Sequence, residues 1–259
     1  MLELVVVGEA PADVRIARDL ADRVLVEAGP DWIQEQDRDY FINELLPGLR
    51  RWSGLNPDQT HSTWRDVRQL SRNYPELTFL RRPSAPGQSL EHLPDYVPVR
   101  KAILLSGILR KGHFPHALVL IRDLDNQAER KAGMHKARAD EELKVIVVLA
   151  TPNPKREAWV LNGFVCQNQQ EEQELKAIRQ QINFHPCQEA HRLRYASQTS
   201  RPERDPKKIL ERLTGNSGER EAQCWLETPL ATLRKYGVET YLKEFLNEIA
   251  DRLLPLFSS

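Results

Sequence analysis

Cysteine is scarce in this chain: Cys166, Cys187 and Cys224 are the three in 259 residues. So few and so scattered, they exclude a disulfide framework, and they read as reduced thiols in a cytoplasmic setting. An excess of one charge is also missing. Lys plus Arg and Asp plus Glu both number 37, for a formal net charge of +0, so any nucleic-acid role must rest on a local basic patch. No apolar run approaches the ~20 residues that span a bilayer. Met1–Ala10 carries Glu3 and Glu9 and lacks the basic leader and apolar core of a signal peptide. The expectation is a cytoplasmic protein with no membrane role. There is no G-x-x-x-x-G-K-[ST] stretch, no G-x-G-x-x-G after the first strand and no G-x-S-x-G elbow. Those absences weigh against P-loop NTPase, dinucleotide and α/β-hydrolase chemistry in this chain. Internal repeats and low-complexity tracts are lacking too.

What is present fits a folded chain: 40% hydrophobic and 29% charged residues, at a length that suits one large domain or two small ones. Leu2–Val7, Ala117–Arg122 and Lys144–Ala150 are continuous β-branched or leucine-rich runs, the pattern of buried parallel strands. Each precedes a polar turn and a helical pattern, the βα alternation of an α/β sheet. Val14–Val26 has helical spacing, with Asp13 expected as its N-cap. Asn126–Glu142 reads as an exposed helix, and Pro154 is expected in the first turn of a helix over Lys155–Leu161. Between the first two strands lies an expected insertion, about residues 30–115. It has helical patterns near Asp37–Leu46, Ser62–Asn73 and Val99–Lys111, a short strand candidate at Leu77–Leu80, and a proline-rich loop over Arg81–Val99. From Cys166 onward the patterns are helical, ending in Val238–Leu254 with Leu242, Phe245, Leu246, Ile249 and Leu253 on one stripe. The expected organisation is an α/β core over residues 1–165 containing the insertion, and a helical region over 166–259 packed on it.

The carboxylates fall at strand ends. Glu9 follows the first strand, and Asp123 and Asp125 follow the second in Arg122-Asp123-Leu124-Asp125. In an open parallel sheet, ligands bind beyond the carboxyl ends of the strands. Acids gathered there resist joint ionisation, and a hard divalent cation such as Mg²⁺ or Mn²⁺ relieves that. The alternative is that they cap turns and helices.

Val5-Val6-Val7-Gly8-Glu9-Ala10-Pro11-Ala12-Asp13, Leu118-Val119-Leu120-Ile121-Arg122-Asp123-Leu124-Asp125 and Glu157-Ala158-Trp159 together resemble a Toprim-type domain. The resemblance is to OLD-type nucleases and a group of bacterial Toprim-like proteins. It covers mainly residues 1–30 and 115–165, and less of Phe184–Leu213. It implies a Toprim-like parallel sheet flanked by helices, with a helical insertion and a helical C-terminal region. The implied activity is Mg²⁺-dependent (or Mn²⁺-dependent) phosphodiester hydrolysis of nucleic acid, in anti-phage defence or genome maintenance. Glu9 would be the acid or base and Asp123 and Asp125 the metal ligands, with Asp13 and Glu157 for a second ion. Some relatives of this type work with an ATPase, so a separate ATPase partner is implied as well. Ala10 stands where the family usually has glycine, and Glu9 and Asp123 are far apart in the chain. The rival is a Toprim-like module without chemistry that recruits a protein partner such as an ATPase.

Thr60–Lys111 holds nine basic residues against four acids. Arg65, Arg68 and Arg72 share a helix face, flanked by Trp64 and Tyr74, which suits stacking on bases; a solvated face or a protein interface is the alternative. Asp205-Pro206 reads as a helix start, with Lys207 and Lys208 as further candidates for phosphate. His185, Cys187 and His191 lack a second Cys/His pair at zinc spacing and read as structural. His113 and His116 border the second strand, near the acids or in a packing role. Trp159 is expected to pack its helix against the sheet.

Overall fold

Three apolar runs set the architecture. In the computed structural model, which describes residues 1–27, 40, 44–81, 93–139, 145–194 and 202–257, they form β1 (Leu2–Gly8), β4 (Ala117–Ile121) and β5 (Ile146–Ala150) of an all-parallel sheet. β2 (Arg50–Ser53) and β3 (Ser62–Thr63) both pair with the remaining edge of β1, giving the order β2-β1-β4-β5 with β3 beside the end of β1. Leu4–Val7 and Leu118–Leu120 are wholly buried, as strands covered on both faces must be. The region expected as a helical insertion therefore also supplies two strands.

The chain divides into two compact units. The first is Met1–Arg122, Gln127–Ala150 and Glu248–Ser259; the second is Asp123–Asn126 and Thr151–Asn247. The sequence pattern predicts a division after residue 165. The structure groups 123–126 and 151–165 with the helical part, and the last turns of the chain with the sheet.

In the first unit α1 (Pro11–Glu27) packs against β1 and β4. Pro11 takes the first helical position and the Asp13 carboxylate accepts a hydrogen bond from the Ala10 amide at 2.8 Å. Asp13 therefore sits inside the first turn, and Ala10, not Asp13, is the cap. α2 (Trp64–Leu70) starts in a capping box: Thr63 Oγ1 accepts from the Asp66 amide and the Asp66 carboxylate accepts from the Thr63 amide. Ser62 and Thr63, expected as helix, are strand. Leu77–Leu80, expected as strand, lies in a 3₁₀ helix over Pro75–Arg81. Pro75 presets the helical φ there, and the Leu77 amide donates back to Tyr74 O. α3 (Tyr96–Ile108) and α4 (Ala128–Ala139) cover the face of the sheet that carries Val5, Val7, Leu118, Leu120, Val147 and Leu149. α4, expected as exposed, buries Met134 and Ala137 in that core. Most of the Asp37–Leu46 helix pattern, most of the proline-rich loop and the ends of the α4 and β5 runs lie outside the described residues.

The second unit is helical: α5 (Arg156–Asn162), α6 (Gln169–Ile182), α7 (Pro206–Thr214), α8 (Gly218–Leu226), α9 (Leu230–Tyr236) and α10 (Leu242–Glu248). Its helix starts follow side-chain capping: Asn168, Asp205 and Ser217 each accept a backbone amide of the first turn. Pro154 precedes the Lys155 cap of α5 and stands outside the helix. Trp159 stacks on Phe245 of α10 at 5.1 Å and donates to Thr240 O, in the turn before α10, at 2.7 Å. The expected terminal helix Val238–Leu254 is α10 followed by a π-helical turn, Ile249–Leu253. Leu242, Phe245, Leu246, Ile249 and Leu253 are all buried as expected.

Candidate functional site

The order β2-β1-β4-β5 means that the chain steps one way from β1 to β2 and the other way from β4 to β5. The reversal lies between β1 and β4, and a crevice at the carboxyl ends of such a pair is where open α/β sheets take ligands. Glu9 leaves β1 there, and Arg122 leaves β4. Their side chains meet, Arg122 Nη1 to Glu9 Oε1, at 3.2 Å. Arg122 Nε reaches Asp95 Oδ1 at 3.1 Å, and the other Asp95 oxygen takes Arg130 Nε at 2.7 Å. Asp95 precedes α3 as an N-cap would, yet its carboxylate makes no capping bond and its φ is 64°. Sequence reasoning missed it, because Asp95 falls inside the proline-rich stretch Arg81–Val99, which reads as loop.

A cleft of about 450 Å³ lies beside this edge, lined by Trp64, Arg65, Val67, Arg68, Val97, Pro98, Lys101 and Arg122. β3 makes it: pairing of Ser62 and Thr63 with Val7 and Gly8 delivers α2 to the carboxyl end of β1. Trp64 Nε1 then donates to Ile121 O at 2.8 Å, and the Arg122 guanidinium lies 5.5 Å from its ring centre. Trp64 is thus committed to holding α2 against β4. Arg65 and Arg68 are exposed and line the cleft together; Arg72 is exposed on the following 3₁₀ turn and does not line it. Lys101 is buried, with Nζ 3.5 Å from Ser71 Oγ. Tyr74 packs against the core.

In the second unit Asp123–Asn126 runs along 152–154: the Leu124 amide donates to Pro152 O and the Asp125 amide to Pro154 O. Asp125 and Asn126 both take positive φ, 52° and 61°, a conformation that Asp and Asn tolerate better than most residues. The turn brings Asp123 and Asp125 to one cation. Lys155 Nζ lies 3.7 Å from Asp123 Oδ2 and 3.4 Å from Asp125 Oδ1, while Asp123 Oδ1 accepts from the Arg156 amide at 3.0 Å. Burial would lower the Lys155 pKa; the charges of Asp123 and Asp125, a hydrogen bond to Asp125 and the charge of Glu157 outweigh it and hold the ammonium above the ordinary lysine range. Glu157 joins the same network through Arg156, which also reaches Glu221. Neither Lys155 nor Arg156 was singled out from the sequence, where a basic pair opening a helix carries no distinct signal.

Four carboxylates (Asp123, Asp125, Glu157 and Glu221) thus face two cations. The donors are hard oxygens, and Mg²⁺ is ordinarily held by one or two carboxylates completed by water and substrate phosphate. Asp123 and Asp125 fit that pattern. Among the described residues no three His, Cys, Asp or Glu side chains gather as a metal-holding group.

The remaining candidates are placed as follows. Asp13 is buried with its carboxylate on the Ala10 amide. Lys207 and Lys208 are exposed on α7, which Asp205 caps as expected. His116 Nδ1 accepts from the Glu3 amide, at the amino end of β1 and opposite Glu9. His185 Nδ1 accepts from the Cys187 amide. Burial, aided by Arg179, keeps the His185 pKa below the ordinary value. Burial raises the Cys187 thiol pKa strongly and pushes Cys224 up to about 12, which leaves both inert. At the amino end of β1, Glu3 takes Arg110 on both oxygens, at 3.0 and 3.2 Å.

Comparison with family models, with curated proteins and with solved structures finds no match to this chain. No helix among the described residues is long and apolar enough to cross a membrane. The class that the structure defines is an α/β protein with a parallel five-strand sheet flanked by helices.

Proposed function

We propose that this chain is a Toprim-like hydrolase of nucleic-acid phosphodiester bonds that depends on Mg²⁺ or Mn²⁺. The observation that carries the reading is Glu9 held by Arg122 at the sheet's switch point, beside a cleft lined by Arg65, Arg68, Lys101 and Arg122. A carboxylate and a cationic wall at the ligand-binding edge are what phosphodiester chemistry needs: a proton carrier, and charge to face the phosphate.

Asp123 and Asp125 would hold the ion. When bound, it supplies Lewis-acid stabilisation and a more acidic water. Lys155 keeps the two acids neutralised in the absence of an ion and gives up its place to one. Glu9 moves the proton, and Arg122 holds its carboxylate in position. Arg65 and Arg68 face the phosphates, with Arg72, Lys207 and Lys208 as outlying contacts. Glu157 and Asp13 would serve a second ion only by leaving Arg156 and the Ala10 amide.

Single-stranded DNA, supercoiled DNA and RNA are incubated with the protein in Mg²⁺, Mn²⁺ or EDTA, wild type beside Asp123→Ala and Glu9→Gln. Metal-dependent cutting that both variants lose supports the reading. Cutting that survives either variant overturns the roles assigned here.

One observation favours a second reading. Lys155 already neutralises Asp123 and Asp125, as in a domain that keeps the fold without the chemistry and recruits a protein partner such as an ATPase. Absence of cutting in every arm supports that reading over the first.

A further inference from the structure

We infer that Arg194 is a phosphate-binding residue at the Asp123–Asn126 turn, taking two non-bridging oxygens of one nucleic-acid phosphodiester on the Nε, Nη2 edge of its guanidinium. The inference rests on the reading above for the choice of a nucleic-acid strand; it needs neither the metal nor the hydrolysis.

Arg194 reaches the turn from the same unit. Its Nη1 donates to Asn126 Oδ1 at 3.3 Å, in an exposed contact, and to the carbonyl oxygens of His191 and Leu193 at 3.0 and 2.8 Å. Its amide donates to Arg204 O at 3.0 Å, so the backbone is held as well. Asn126 follows Asp125 directly, which places the guanidinium one residue from a proposed ion ligand.

The other cations near the turn are taken. Lys155 is held by Asp123 and Asp125, and Arg156 by Glu157 and Glu221. Arg194 meets no carboxylate among the described residues: its three side-chain acceptors are neutral, and all of them sit on Nη1. A guanidinium carries five N–H donors in a rigid fork. Nε and Nη2, which share one edge, have no acceptor among the described residues. Two parallel donors on one edge are the geometry that takes a phosphate bidentately. The side chain is half-buried and tethered at three points, so little rotamer freedom is left to lose on binding. Charge agrees with this. Lys155 and Arg194 balance Asp123 and Asp125, and a divalent ion on those two acids would leave the turn with a positive surplus that a phosphate offsets.

Fluorescence anisotropy tests it, with the whole chain, a short labelled single-stranded oligonucleotide and EDTA, repeated across a salt series. Wild type is expected to bind saturably. Arg194→Ala weakens binding about tenfold and lowers the slope of log affinity against log salt by about 0.7, the share of one phosphate contact on a single strand. Arg194→Lys keeps the charge and a donor for the loop carbonyls but loses the fork; it keeps the slope and recovers only part of the affinity. Arg212→Gln removes an arginine of α7 that Glu174 already holds, and binds as wild type. The inference is overturned if the strand does not bind, if Arg194→Ala binds as wild type, or if its affinity falls with the slope unchanged, the mark of a residue that only staples its loop. Inorganic phosphate is the second probe: binding of phosphate that needs Arg194, without binding of the strand, overturns the strand as its source. Cutting in Mg²⁺ is scored separately. A chain that binds through Arg194 and cuts nothing refutes the hydrolase and leaves this inference standing.

Discussion

Arg122 Nη1 sits 3.2 Å from Glu9 Oε1, a pair drawn from the ends of two neighbouring parallel strands that are far apart in the chain. Arg122 is also anchored by Asp95 and by the ring of Trp64. Glu9 therefore presents its carboxylate from a position fixed by three other side chains. Glu9→Gln keeps the shape and a neutral partner for Arg122 but removes the proton acceptor. If the chain is the proposed hydrolase, the expected loss in phosphodiester cleavage is about 10²–10⁴-fold, with the melting temperature close to wild type. A variant that cuts normally would remove Glu9 from the chemistry.

If Asp123 and Asp125 hold a divalent ion as proposed, Lys155 competes with it for both carboxylates. Lys155→Met leaves Asp123 and Asp125 facing each other, so its melting temperature in EDTA should fall below that of wild type. Mg²⁺ should restore part of the fall, and the apparent Mg²⁺ requirement should drop. Thermal unfolding across a Mg²⁺ titration checks this without any activity. No recovery at millimolar Mg²⁺ would mean that the acids do not hold the ion.

Glu3 gives the pH dependence. Burial alone would raise its carboxyl, but hydrogen bonding and charge from Arg110, with help from Ser53 and Arg51, hold it below the ordinary glutamate range. A carboxyl whose pKa is depressed on folding contributes stability above its unfolded pKa, about 4.3. That contribution is lost as pH falls through the lower folded value. Glu3→Gln should cost about 1–3 kcal/mol at neutral pH and flatten the fall in stability below pH ~4.3. Denaturant melts at neutral and acid pH measure both; an equal loss at both would show that Glu3 acts through packing alone.

Gly163 ends α5 where a Cβ would run into the Cys224 carbonyl oxygen of α8. Both are backbone positions with little room to yield. Gly163→Ala should destabilise the protein by about 1–3 kcal/mol, seen as a lower midpoint in urea. Wild-type stability would show that α5 and α8 separate easily.

β1, β4 and β5 were legible in the sequence because a strand buried on both faces is a continuous apolar run. β2 was not. Arg50-Arg51-Trp52-Ser53 has neither such a run nor a clear alternation. Its place at the edge is held instead by specific partners: Arg50 on Asp22, Arg51 on Glu3, and Trp52 Nε1 on Asp22. β3 is two residues long and offers no periodicity. The strand-end positions of Glu9 and Asp123 could be read from the βα alternation, as could the shared face of Arg65 and Arg68. What the acids bind could not, because Lys155, Arg156, Arg122 and Asp95 take their meaning from the tertiary fold.

The chain passes between its two units four times, after Arg122, Asn126, Ala150 and Asn247. Ile249 and Leu253, in the closing π-helical turn, are fully buried and belong with the sheet, packed on α1 and β5. Neither unit is therefore a continuous stretch that a single cut could isolate. A fragment ending at Ala150 would expose the apolar surface that Ile249 and Leu253 cover, and one starting at Thr151 would lack Asp123 and Asp125. Dissection by truncation is closed for this molecule; point substitution in the whole chain, or circular permutation, is the route to assigning work to its halves.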